Sequence, residues 1–284
     1  MDTAPLDTLT YLAVLAAALM HAGWNAVVKV GDRFSAILML SLAQGAIAFA
    51  LLAVFPFPAR EAWGWLVLSA ALHVGYRLFL IRAYAHGDLA EVYPLARGTA
   101  PLIVALVGAL FLGERLAPLG LLAVAAIGLG VIAMSLRGGK DHGPPHPAAI
   151  AFALGTAVFT ASYTLTDAVG ARLAATASGY TMALFALDSV MMTGFAAATR
   201  GRAAFTRLAP IWRTGLLAGA LSLGSYWVAI WAFTRAPVAL VAALRETSVL
   251  FALLIGVLFL GEHVGRWRIL AAILILSGMM LMRA

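Results

Sequence analysis

The chain has 284 residues, of which 63% are hydrophobic and 11% charged, against about 25% charged in an ordinary soluble domain. That balance excludes a water-soluble globule, because a chain of this length cannot hide so much apolar surface, and it leaves lipid as the solvent. The formal net charge of +7 is spread as single Lys and Arg between apolar runs, so it excludes a nucleic-acid surface and suits basic loops beside membrane spans.

A spanning helix needs about 20 mostly apolar residues. Ten segments meet that need: 8–29, 34–55, 62–86, 89–111, 117–136, 147–170, 177–199, 209–235, 238–260 and 264–283. The first is expected to be a permanent helix and not a cleaved signal, because Met1 to Thr10 holds no Lys or Arg. Most connections are short, so neighbouring segments run antiparallel. The charged, Gly- and Pro-containing stretch Arg137 to Pro147 falls near the midpoint. It divides the chain into 1–137, a linker at 138–147, and 148–284. The sequence holds no cysteine, which removes disulfides, thiolate metal sites and a cysteine nucleophile.

Ionisable groups inside apolar spans cost roughly 2.5–3.5 kcal/mol each on insertion scales, so each needs a reason. The first segment carries His21, Trp24 and Asn25 on one helical face. The third carries His73, Tyr76, Arg77 and Tyr84, again on one face. The fourth carries Tyr93 and Arg97 one turn apart, the sixth Tyr163 and Asp167, and the seventh Asp188. The eighth carries Tyr226, Trp227 and Trp231, and the ninth Arg245 and Glu246. One reading is that these faces converge on a polar, aromatic cavity. Arg97 or Arg245 would then receive a carboxylate in bidentate fashion, and aromatic faces would hold an ammonium group.

The alternative readings are structural. Arg245 and Glu246 would serve stability, neutralising charge locally or with other helices; adjacent helical residues diverge by about 100°, so they need not pair with each other. Arg77 and Arg82 would snorkel to an interface. Trp63, Trp65, Trp212 and Trp267 lie near predicted helix ends and suit an interfacial belt. Glu114 and Glu262 would fix turns. His142 and His146 have no carboxylate or thiolate at ligand spacing, so no metal site is expected, and no cofactor either. Asp167, Asp188 and Glu246 are the carboxylates that could take up and release protons inside the spans.

The two halves repeat. Phe111-Leu112-Gly113-Glu114 recurs as Phe259-Leu260-Gly261-Glu262 at an offset of 148, where Arg97 also falls on Arg245 and Gly130 on Gly278. Gly75 falls on Gly224 at an offset of 149, and Trp24 on Tyr163 and Gly31 on Gly170 at 139. Five segments per half is an odd number, so the second half enters the membrane from the opposite side. This is an inverted repeat, a plan suited to transporters that rock about a midplane site.

With its FLGER (Phe111–Arg115) and FLGEH (Phe259–His263) turns, the stretch His21–Lys29 and its counterpart Tyr163–Arg172, the chain resembles the drug/metabolite transporter superfamily, in its EamA-type branch. The resemblance covers nearly the whole chain. It implies an all-α integral membrane protein of ten transmembrane helices in an inverted five-plus-five repeat. It implies export of amino acids, other metabolites or drugs, through a cavity lined by the first, third, fourth, sixth, eighth and ninth spans. Neutral or aromatic amino acids are the expected substrates, in a bacterial inner membrane. No phosphate-binding glycine loop or HExxH is present, so neither an ATP-driven pump nor a metalloenzyme is expected. A membrane-embedded enzyme or a channel remains the alternative class. Charge places five Arg at the end of the bundle that holds the termini and eleven Lys or Arg at the other. The positive-inside rule then puts both termini outside, whereas the resemblance implies termini inside.

Overall fold

The computed structural model describes residues 6–28, 32–87, 89–135, 146–260 and 264–283. These residues form twelve α-helices and two short 3₁₀ turns, with no strand among them. In order the helices are α1 (Thr8–Val28), α2 (Arg33–Leu51), α3 (Trp63–His86), α4 (Leu89–Phe111), α5 (Pro118–Ser135) and α6 (Pro147–Leu173). They continue as α7 (Ala177–Arg200), α8 (Ala203–Thr206), α9 (Trp212–Phe233), α10 (Val238–Arg245), α11 (Ser248–Leu260) and α12 (Arg266–Leu281). Seven stretches are long and apolar enough to cross a membrane, with α10 and α11 counted together. Helix α1 is diluted by His21, Trp24 and Asn25. Helices α5 and α12 have 18 and 16 residues, a rise of about 24–27 Å. Leu110, Leu121, Leu270 and Met280 lie exposed on the outside of the bundle, as lipid-facing side chains must.

Several boundaries differ from the sequence expectation. The second segment stops at Leu51 and not at residue 55, because the chain turns ahead of Pro56 and Pro58, which lack the N–H a helix needs. The sixth runs on to Leu173. The connection expected at 200–207 contains the short helix α8, and a 3₁₀ turn at Ala209–Ile211 precedes α9. The ninth segment is not one helix: it breaks at Glu246 and Thr247 between α10 and α11. The linker core with His142, the repeat residue Gly31, and Gly261-Glu262-His263 of the second FLGE turn lie outside the described residues.

Packing between the halves is reciprocal. Helix α3 packs on α6 as α1 packs on α9, α4 on α6 as α1 on α10 and α11, and α2 on α9 as α3 on α7. The pairs α2–α7, α4–α10 and α5–α12 each join a helix to its own counterpart. The glycines show this at atomic scale. A Cβ on Gly130 would lie 2.7 Å from Ile275 and 3.1 Å from the Ala271 carbonyl. One on Gly278 would lie 2.6 Å from Ile127 and 2.8 Å from the Ala123 carbonyl. Each contact becomes the other on adding or subtracting 148, so α5 and α12 meet as two copies related by a pseudo-two-fold axis. Close backbone approach through small residues is the usual way for helices to associate in lipid.

The described chain begins and ends on the same side, where Arg283 Nη1 donates to Thr8 Oγ1 at 2.9 Å. A clamp ties the halves together there. Glu114, in the turn after α4, accepts from Arg172 Nη2 at 3.0 Å and from the Val238 N–H at 3.0 Å. Arg172 Nε also donates to the Phe233 carbonyl at 3.0 Å. The turn glutamate therefore bridges to α6, α9 and α10 of the other half, and does more than fix its own hairpin.

Candidate functional site

The break between α10 and α11 is held by local bonds of the tighter i−3 kind. The Glu246 N–H donates to the Ala243 carbonyl at 3.0 Å, and the Thr247 N–H to the Leu244 carbonyl at 3.2 Å. The Thr247 hydroxyl donates to that same Leu244 carbonyl at 2.6 Å. Here Glu246 faces α4, and its carboxylate accepts from Arg97 Nε at 2.8 Å. The side chains are 4% and 3% exposed, so this is a buried ion pair joining the two halves. The neighbouring Arg245 turns the other way and lies over the Tyr226 ring, 4.9 Å from its centroid.

Arg97 is thus paired with Glu246, while Arg245, among the described residues, has a ring face and no bonded carboxylate. Among the described residues, Arg97 Nη2 and Arg245 Nε are buried N–H donors with no hydrogen-bond acceptor. A buried donor left unpaired costs about 1–3 kcal/mol, and more when charged. Arg97 is further surrounded by Tyr93, whose ring centroid is 5.9 Å away. The Tyr93 hydroxyl meets His21 Nε2 at 3.2 Å. Trp24 Nε1 donates to His21 Nδ1 at 3.2 Å, so the neutral ring carries its proton on Nε2 and donates it to Tyr93. Asn25 Nδ2 donates back to the His21 carbonyl at 2.7 Å, which uses that group within its own helix.

A second centre lies on the other side of Tyr226. Asp167, fully buried, accepts from the Tyr226 hydroxyl at 2.6 Å and from the Tyr180 hydroxyl at 3.0 Å. His73 stacks on Tyr163 at 4.0 Å between centroids and 25° between planes, and Tyr76 meets Tyr163 edge-on at 5.6 Å. Tyr226 is therefore shared, with its hydroxyl on the carboxylate and its face under a guanidinium. The sequence reading had no role for Tyr180. It lies 13 residues from Asp167 on the next helix, and no helical spacing connects them.

Arg77 and Asp188 belong elsewhere. Arg77 Nη1 donates to both Asp188 oxygens at 2.8 and 2.7 Å, and to Ser41 Oγ at 3.3 Å. Gln44 Oε1 accepts from Arg77 Nη2 at 3.4 Å, and Gln44 Nε2 donates to Ser222 Oγ at 3.0 Å. Arg77 is buried and does not snorkel, because its partner lies at the same depth; Arg82 is exposed. The predicted single face of α3 thus splits, with His73 and Tyr76 turned to α6, Arg77 to α2 and α7, and Tyr84 half-buried against the Ala83–Val92 cluster. Trp227 donates to Ser178 Oγ at 3.0 Å and packs edge-on against Phe55 at 5.3 Å. Trp231 lies under Arg235 at 4.6 Å. Both tryptophans sit nearer the end that holds the termini than the Arg97–Glu246 crossing. Among the described residues, no three His, Asp or Glu are grouped closely enough to hold a metal ion.

Two of three comparisons with known proteins give matches. A family model described as "EamA-like transporter family" matches residues 8–136 and again residues 147–284. A crystal structure, described only as "Crystal structure of protein", superposes with a TM-score of 0.75 over 96% of this chain and 98% of that one. Its identity is 18%, so the likeness shows a shared fold alone. No curated protein sequence matches.

Proposed function

The chain belongs to the EamA-like transporter family, a family of multi-pass small-molecule transporters, and from that premise we propose that it is a secondary transporter exporting neutral or aromatic amino acids by alternating access. The observation that carries this reading is the pair of unsatisfied guanidinium donors, Arg97 Nη2 and Arg245 Nε, buried where the two halves cross. A substrate carboxylate would take both donors. The aromatic group of His73, Tyr76, Tyr163 and Tyr226 supplies an apolar wall with polar tips, and Asp167 a counter-charge for an ammonium group.

The architecture proposed is ten spans in an inverted five-plus-five repeat, with units 1–137 and 148–284 joined by the linker 138–147. Reciprocal packing supports it, as does the helix break beside Arg245, since interrupted helices mark midplane sites in such carriers. Glu246 holds Arg97 in competition with the incoming carboxylate, and exchange between the two anions would link binding to the closing of one side. Proton coupling is assigned to Glu246 and Asp167. Asp188 is already matched by Arg77 and serves the bundle. The basic end faces the cytoplasm, with both termini outside, in a bacterial inner membrane.

The test is uptake of labelled amino acids into proteoliposomes. Wild type is expected to show saturable uptake. Arg245→Gln is expected to lose it while keeping its fold, because only a stacking contact is removed. Folded wild type that takes up no amino acid would end the amino-acid assignment.

A further inference from the structure

The central site leaves one other built feature unexplained. At the end of the bundle opposite the termini, a cavity of ≈ 190 Å³ lies between α2, α7 and α8. It is lined by Asp32, Ser35, Arg200, Ala203, Ala204 and Arg207. A water occupies about 30 Å³ in the liquid, so the space admits a larger group. Asp32 caps α2, accepting from the Ser35 N–H at 3.0 Å and the Ser35 hydroxyl at 2.6 Å. Those bonds, the hydroxyl first, hold its carboxyl below the usual range, with Arg200 and Arg207 adding to the effect. Asp32 is therefore anionic, and it offsets one guanidinium of the two. The cavity keeps one net positive charge.

The arginines are placed for an outside partner. Arg200 is the last residue of α7, where Gly201 at φ +59° ends the helix. Its guanidinium carbon lies 3.8 Å from the centroid of the Phe34 ring, a cation–π contact that holds the head group beside α2. Among the described residues, neither Arg200 nor Arg207 has a hydrogen bond or ion pair. The N-terminus of α2 adds its partial positive charge. Trp212, half exposed and 5.3 Å from the Arg213 guanidinium, opens α9 just beyond, and tryptophans at helix ends suit a bilayer interface. The related end of the α2–α7 pair is built differently. There Gly179 packs on the Pro56 carbonyl and Thr176 caps α7, with no arginine in these contacts.

We propose that the cavity between α2, α7 and α8 binds the phosphodiester of an anionic phospholipid through Arg200 and Arg207, one lipid per chain at the basic end. A single negative charge matches the surplus. The headgroup phosphate lies at the level of these helix ends, while the acyl chains would run along the exposed side of α7 at Val190. The proposal needs the chain to sit in a bilayer but needs no particular transported substrate.

The test is native mass spectrometry of the detergent-solubilised protein with phosphatidylglycerol, and with zwitterionic phosphatidylcholine as control. Wild type should retain phosphatidylglycerol selectively, and Arg200→Gln/Arg207→Gln should weaken that retention about thirtyfold. Ala203→Glu keeps both arginines but puts a carboxylate at the exposed rim, and should weaken it too. All three proteins should show one size-exclusion profile and melting temperature. Equal retention by wild type and the double variant would overturn the proposal. Inorganic phosphate that displaces the lipid from wild type at matched concentration would make this a free-anion site, and would overturn the lipid assignment. No transport is measured, so the outcome is independent of the amino-acid reading.

Discussion

The two helices that cross at the centre, α4 and the α10–α11 pair, carry an arginine at matching positions and use it differently. Residues 97–101 read Arg-Gly-Thr-Ala-Pro, and 245–249 read Arg-Glu-Thr-Ser-Val. Helix α4 contains Pro94 and Pro101 and stays continuous, whereas its counterpart has no proline there and breaks. The matched threonines record the change of pitch. Thr99 donates four residues back, to the Leu95 carbonyl at 2.8 Å, and Thr247 only three back, to the Leu244 carbonyl at 2.6 Å. The difference follows the residue between. A Cβ on Gly98 would lie 2.6 Å from the Gly128 carbonyl, so α4 is pressed against α5 and has room for no side chain. Position 246 faces Arg97 instead, and the backbone gives way to deliver a carboxylate. A duplicated element has become a rigid half and a yielding half.

Breaking the cross-pair should have the largest effect. Arg97→Met strands Glu246 in the interior and is expected to cost about 3–5 kcal/mol, read as a drop in melting temperature in detergent. Arg97→Met/Glu246→Gln should recover most of that loss. Arg245→Met gives up a cation–π contact of about 0.5–2 kcal/mol; equal losses for Arg97→Met and Arg245→Met would erase the distinction drawn between the helices. Gly98→Ala comes next: overpacking α4 against α5 should cost about 1–3 kcal/mol, and a neutral result by the same melt would show that α4 is free to shift. The smallest effect is Thr247→Val, about 0.5–1.5 kcal/mol for one hydrogen bond. It should speed amide exchange at Val249 and Leu250, whose N–H groups bond to carbonyls within the break at 3.1 and 2.9 Å. Thr99→Val should leave amide exchange in α4 unchanged.

The broad plan was legible from apolar run lengths and from FLGE recurring with paired arginines, because lipid demands long apolar helices and a duplication keeps its spacing. The membrane class and the family could be read that way. The break was not legible, since Glu, Thr and Ser are each tolerated in a helix and the cause lies on another helix. Long-range partners were equally hidden. Arg77 and Asp188 are 111 residues apart, so a guanidinium that looks free to snorkel is in fact neutralised. Tyr180 escaped notice because a tyrosine near a helix start suits an interface as well as it suits a buried carboxylate. What the residue types did signal was that Arg97, Arg245 and Glu246 each need a partner; which partner each has depends on the packing of the halves.

The clamp at Glu114 has a mechanical consequence. Its bonds draw on the ends of α6 and α9 and the start of α10, and they converge on one carboxylate and one guanidinium. Each alone is weak enough for thermal motion to break, but none can lengthen far while the others hold. That end of the molecule is therefore expected to part in one step, with no partly parted position in which to rest. It is expected to behave as a catch with two settings, its motion counted in discrete events whose frequency, and not whose extent, a ligand can change.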